Sequence, residues 1–211
     1  MLQLLDSLNL FLVPLDRRRE WFRFHALFGE FLQEELRRIH REIGGTFVFV
    51  THDQGEAMNL ANRIAVMNDG SLIQVSSTLD IYRNPNSEFV ATFVGDANVL
   101  EGKRRGGIVE LVCGARFDHA GRDGPVVAVV RPESISLSEV MAAEDATTVV
   151  VSGTLDQTIF MGPAVRCQLR LEPSGKPLLV HAPASAAAIG ASTGARLAAR
   201  WPAGAQTILD R

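Results

Sequence analysis

The residues best placed to do chemistry lie in one run, Thr46–Ala57, which reads TFVFVTHDQGEA. His52 and Asp53 follow closely on Thr46–Val50, which is β-branched or aromatic and apolar on both faces, as in a short strand buried within a sheet. Gln54–Arg63 then has a helical period, with Ala57, Leu60 and Ala61 on one side. This order predicts that His52 and Asp53 stand at the carboxyl end of a central strand, where open α/β sheets hold their ligands. An imidazole there can donate an N–H toward developing negative charge, or it can simply satisfy a loop carbonyl. Adjacent His and Asp side chains alone do not make a coordination shell, so no metal site is expected. His25 and His40 read as surface or helix-packing residues. Arg131 and Glu133 frame a proline and read as a structural pair or a strand-end cap.

The elements that must position these residues change character near Gly95. Before it, Leu8–Val13 reads as a strand and Arg17–Ile43 as a helix, with Asp16 as N-cap. Leu32, Leu36, Ile39 and Ile43 line one face of that helix, and Gly44-Gly45 stops it. Ile64–Met67 and Leu72–Val75 bracket Asn-Asp-Gly, a hairpin signal. Short helices follow around Leu79–Tyr82 and Glu88–Val94. After Gly95 the helical period disappears. Ile108–Val112, Val126–Val130, Val149–Leu155, Val165–Leu171, Leu178–His181 and Arg196–Ala199 read as short strands separated by Gly or Pro. Ala182–Gly194 reads as loop or weak helix. The expected domains are therefore residues 1–95, α/β with a partial parallel sheet, and residues 96–211, all-β.

Composition narrows the class. A chain of 211 residues that is 46% hydrophobic and 21% charged has the profile of an ordinary globular protein. Its net charge of −3 argues against a nucleic-acid partner. Cys113 and Cys167 are far apart and lack metal-ligand spacing, so they read as reduced structural residues. No apolar run reaches the ~18–20 residues of a membrane span. The start MLQLLDSLNLFLV has no basic segment and makes a poor signal peptide, so a cytoplasmic location is expected.

From about Leu36 through FVFVTHDQGEAMNLANRIAVMNDGSLIQVSSTLDIYRNPNSEFVATFVGDANVL, the chain resembles the C-terminal part of an ABC-transporter ATPase. The likeness is to the importer branch that includes the polyamine, ferric-iron, sulfate and maltose ATPases. VVRPESISL (Val129–Leu137), GTLDQTIFMG (Gly153–Gly162) and ARLAARWPAGAQTIL (Ala195–Leu209) resemble the TOBE regulatory β-domain of that branch. The resemblance implies an α/β remnant of a P-loop ATPase domain followed by an all-β small-barrel (OB-like, TOBE) domain. It implies that His52 is the switch histidine, which hydrogen-bonds the ATP γ-phosphate in the family. It also implies ATP and Mg as the family's cofactors, permease subunits as partners, and a place at the inner face of the membrane.

The sequence departs from that family in several places. It contains no G-x-x-x-x-G-K-[ST] phosphate loop, since Gly102-Lys103 and Gly175-Lys176 lack both the spacing and the following Ser or Thr. The Leu-Ser-Gly-Gly-Gln signature loop is absent too. If Pro14 aligns with the family's proline, Leu12 and Val13 occupy the places of the magnesium-binding Asp and the catalytic Glu. No cofactor-binding residue is therefore assigned, and the chain alone is expected to be inactive. Trp21–Phe31 (WFRFHALFGEF) is more aromatic than the family pattern. It reads as a surface that a sheet would fill, as a self-association face shared with Leu8–Val13, or as rearranged coding sequence. The expected function is the C-terminal part of the ATP-binding subunit of an importer, with a polyamine-like substrate preferred. The alternative is a stand-alone regulatory or oxyanion- or small-ligand-binding β-domain with a vestigial ATPase segment.

Overall fold

The computed structural model describes residues 12–14, 22–24, 26–139, 147–185 and 190–211. The chain divides into two compact units, Met1–Asn62 and Arg63–Arg211. In the first, strands β1 (Leu12–Pro14) and β2 (Phe22–Phe24) pair antiparallel and precede helix α1 (Ala26–Ile43). The helix begins nine residues later than its periodicity predicts, because Phe22–Phe24 is drawn into the hairpin. Ion pairs Glu34–Arg37, Glu35–Arg38 and Arg38–Glu42 run along its polar side at i,i+3 and i,i+4 spacing. Gly44 stops it, donating its N–H to the His40 carbonyl at 3.0 Å. Leu32, Leu36 and Ile43 on the expected apolar face are exposed. Residues 8–11 and Trp21, part of the expected self-association face, lie outside the described residues.

Thr46–Val50 is not a strand. Val48 is 87% and Val50 90% exposed, and no described strand pairs with the segment. A doubly apolar strand is stable only with neighbours on both edges and cover on both faces, and among the described residues neither is present. The first unit thus has an antiparallel hairpin where a parallel sheet was expected. Helix α2 (Gln54–Leu60) follows, tied to α1 by Arg37, whose Nη2 donates to the Asn59 carbonyl at 2.8 Å.

The second unit opens with the hairpin β3 (Arg63–Asn68) and β4 (Ser71–Ser77). Asp69 and Gly70 both have positive φ (47° and 74°), the two-residue geometry whose twist matches the strands it joins. Helices α3 (Thr78–Arg83) and α4 (Glu88–Phe93) are capped by Ser77 and Ser87, whose hydroxyls accept the N–H of Asp80 and Val90. The remainder is all β among the described residues, apart from two short 3₁₀ turns.

The β-domain consists of two five-stranded antiparallel sheets. One has β5 (Asn98–Arg105), β6 (Ile108–Leu111), β7 (Arg116–Asp118), β8 (Gly124–Val130) and β14 (Gln206–Asp210), in the order β14-β8-β5-β6-β7. The other has β9 (Ser136–Ser138), β10 (Thr148–Phe160), β11 (Ala164–Leu171), β12 (Pro177–Pro183) and β13 (Arg196–Pro202), in the order β12-β11-β10-β13-β9. One core lies between them and includes Leu100, Val109, Val126, Leu155, Leu169, Leu178 and Trp201. Strand β11 alternates strictly, with Val165, Cys167, Leu169 and Leu171 inward.

Strand β8 is buried on both faces. Val126, Ala128 and Val130 enter the core, while Val127 and Val129 pack against Ala91 of α4. Asn98 links the sheets: its Nδ2 donates to the Leu179 carbonyl at 2.8 Å, and its Oδ1 accepts the Leu179 N–H at 2.7 Å. The all-β, OB-like domain expected from the sequence is present.

Candidate functional site

Thr51, Asp53 and Glu56 close the turn that carries His52. The Asp53 Oδ1 accepts the Glu56 N–H at 2.9 Å as the N-cap of α2. The Thr51 hydroxyl accepts the Asp53 N–H at 3.0 Å and donates to Glu56 Oε2 at 2.7 Å. His52 sits on this turn as an exposed residue in a bend. The local motif thus folds as the sequence suggests, while the central strand that would mount the histidine does not form.

Arg131 and Glu133 form a second constellation. They do not hydrogen-bond one another, and both engage Tyr82 instead. Arg131 is only 6% exposed. Its Nη2 donates to the Tyr82 carbonyl at 2.7 Å, and its Nη1 donates to the carbonyls of Ala91 at 2.8 Å and Asp96 at 3.0 Å. The guanidinium also lies 4.0 Å from the Tyr82 ring centroid. Burial presses the Arg131 guanidinium below its ordinary pKa, countered by Tyr82 and Glu133. The Tyr82 hydroxyl donates to Glu133 Oε1 at 2.7 Å. Burial, followed by that hydrogen bond, pushes Tyr82 up to about 12. This arrangement fastens the helical segment to the β-domain, which agrees with the structural reading of Arg131 and Glu133. Tyr82 was missed because its partners lie 49 and 51 residues away in sequence.

A third feature is a cleft of ≈ 420 Å³ lined by Lys103, Arg104, Arg105, Asp123, Gly124 and Pro125. Arg104 is 2% exposed and held by Asp210 Oδ1 at 2.7 Å, the Arg122 carbonyl at 3.1 Å and His119 Nδ1 at 3.1 Å. Lys103 and Arg105 are exposed, and the Asp123 carboxylate accepts the Gly106 N–H at 2.9 Å.

Two family models match parts of the chain. Residues 128–209 match the TOBE domain, and residues 1–43 match the MalT winged helix domain.

The spermidine/putrescine import ATP-binding protein PotA of Oleidesulfovibrio alaskensis is 34% identical over 198 residues, covering 84% of this chain and 52% of that protein. PotA of Borreliella afzelii is 36% identical, covering 67% of this chain and 40% of that protein. The sulfate/thiosulfate import ATP-binding protein CysA 2 of Chromobacterium violaceum is 40% identical, covering 71% and 40%. The chain thus spans about half or less of the length of these relatives. A structure of the cytoplasmic molybdate-binding protein ModG overlaps 54% of the chain at a TM-score of 0.46 and 18% identity, too slight a likeness to carry an argument.

The relatives are named ATP-binding proteins, and the described residues around His52 do not by themselves form a triphosphate site. His52 stands on an exposed turn without a sheet behind it, the Asp53 carboxylate is committed to capping α2, and the sequence has no phosphate loop. Over its C-terminal part, the chain is a homologue of the ATP-binding proteins of ABC transporters and carries a TOBE domain.

Proposed function

We propose that the chain serves as the C-terminal, regulatory part of the ATP-binding subunit of an ABC importer and is catalytically incomplete by itself. The observation that carries this reading is the 34–40% identity to PotA and CysA 2. In this reading a functional division falls near Gly95. His52 marks the place of the switch histidine, and the working partners are permease subunits at the inner face of the membrane. The PotA names favour a polyamine as the transported substrate. No helix among the described residues is long and apolar enough to cross a membrane.

Nucleotide binding tests the incompleteness. A neutral hydrogen bond from His52 has a net worth of about 0.5–1.5 kcal/mol, whereas micromolar affinity needs roughly 8 kcal/mol. Titration of a fluorescent ATP analogue with magnesium, with phosphate release measured alongside, should give neither tight binding nor turnover. Micromolar binding with turnover abolished by His52→Ala would contradict the reading.

The cleft beside Lys103 and Arg105 supports a second reading, in which the β-domain binds an oxyanion or another small ligand. Thermal-shift titration with sulfate, molybdate and spermidine separates the two. A ligand at a hundredfold its dissociation constant adds about 2.7 kcal/mol of stability, an easily measured rise in melting temperature. A flat response to all three ligands sinks this second reading.

A further inference from the structure

Arg104 is a buried cation with an imidazole among its partners. Its Nη1 donates to Asp210 Oδ1 at 2.7 Å and to the Arg122 carbonyl at 3.1 Å, and its Nη2 meets His119 Nδ1 at 3.1 Å. A guanidinium has donors and no acceptor, so in this contact the imidazole accepts. His119 is therefore neutral here, with its proton on Nε2. The loop that carries it closes over the charge, and Gly121 leaves no room for a Cβ beside the guanidinium.

A proton on Nδ1 removes that acceptor and sets two cations in contact. The carboxylates around the site are committed elsewhere. Asp210 is bonded to Arg104 itself, Asp123 accepts the Gly106 N–H at 2.9 Å, and Asp118 lies on the exposed side of β7. Lys103 and Arg105, on the outer side of β5, add further positive charge. Like charges repel most strongly where water is scarce, and Arg104 is 2% exposed. Arg104 must then withdraw from the ring, and its bonds to Asp210 and the Arg122 carbonyl are disturbed with it. Asp210 ends β14, which supports the helical segment. The Thr207 hydroxyl donates to the Arg83 carbonyl at 2.9 Å, Leu209 packs against the cluster of Ala91, Val127 and Val129, and Arg211 Nε donates to Glu88 Oε1 at 2.7 Å. The contact at His119 thus stands at one end of a line of bonds that reaches α3 and α4.

We propose that His119 is an acid-operated latch on β14. Neutral, it holds Arg104 in place against Asp210 and keeps the strand beneath the helical segment. Protonated, it frees the end of the strand and loosens α3 and α4. The latch does not depend on the transporter reading.

Amide hydrogen exchange of the full chain tests the proposal, read as protection factors so that the intrinsic pH dependence of exchange cancels. Histidine changes charge between about pH 8 and about pH 5. Over that interval protection in β14, α3 and α4 should fall about tenfold to a hundredfold, the effect of losing one hydrogen bond to a charged group. His119→Gln keeps an acceptor oxygen that does not titrate, and should hold protection at its higher level throughout. His181→Gln removes the other histidine of this unit, which lies 3.6 Å from Asp96, and should leave the fall intact. Circular dichroism checks that both variants remain folded. Heteronuclear NMR of the wild-type imidazole needs no variant, and should show Nδ1 bare and Nε2 protonated at about pH 8. A proton on Nδ1 at that pH would overturn the proposal. So would protection that does not change with pH, a fall that His119→Gln retains, or a fall that His181→Gln abolishes.

Discussion

Replacing Arg131 with methionine keeps most of the side-chain volume and removes every hydrogen bond it donates. Three carbonyls lose a donor at ordinary distance, those of Tyr82, Ala91 and Asp96. An orphaned buried acceptor costs about 1–3 kcal/mol. The three are not equal: Ala91 is fully buried, whereas Tyr82 is half-buried and Asp96 exposed, so water can replace part of the loss at those two. The expected cost is therefore about 3–5 kcal/mol, in line with breaking other buried charged networks. At roughly 2–4 °C per kcal/mol for a domain of this size, the melting temperature falls by about 6–20 °C. Arg131→Lys keeps the charge but cannot reach all three carbonyls, so it should fall between wild type and Arg131→Met. Urea unfolding gives the magnitude, and hydrogen exchange gives its location, with protection lost first in α3 and α4. A loss under ~1 kcal/mol for Arg131→Met, or unchanged exchange in residues 78–96, would refute the claim that this guanidinium fastens the segment.

Tyr82 is the only tyrosine in the chain, so ultraviolet titration of phenolate reports it alone. It should ionise near about 12, and Glu133→Gln should bring that value down; ionisation near 10 in wild type would contradict the geometry. Because the folded pKa lies above the unfolded value, the contribution to stability is complete below about pH 10. It is lost as the pH rises toward about 12. In β10, a Cβ at Gly153 would lie 2.9 Å from the Arg170 carbonyl oxygen, a backbone atom that cannot swing aside. Gly153→Ala should therefore cost about 1–3 kcal/mol in urea unfolding, and a neutral substitution would show that the two strands separate more freely than drawn.

The β-domain was legible because its strands carry their own pattern. Val165–Leu171 alternates over a single core, and Val126–Val130 is apolar throughout because α4 covers its outer face. The strands that escaped notice, Asn98–Arg105, Arg116–Asp118, Ser136–Ser138 and Gln206–Asp210, are polar or short, so their pairing is decided by tertiary neighbours. The Asp69-Gly70 turn was readable because its type demands those residues. Thr46–Val50 misled for a related reason. Its composition records a preference for a buried sheet, but composition does not supply the neighbouring strands. His52 was singled out from its local run, the cap by Asp53 was not read although its partner Glu56 is three residues on, and the clasp of Tyr82 by Arg131 joins residues 49 apart and leaves no local trace.

The regulatory role can be measured by transplantation. Residues 63–211 would replace the matching segment of PotA from Oleidesulfovibrio alaskensis, and the chimera would be assembled with that importer's permease in membrane vesicles. The account predicts that the chimera co-purifies with the permease and supports ATP-dependent spermidine uptake within about tenfold of the parent, while a chimera carrying Arg131→Met loses it. A folded chimera that fails to join the permease, or joins it without any uptake, would contradict the account.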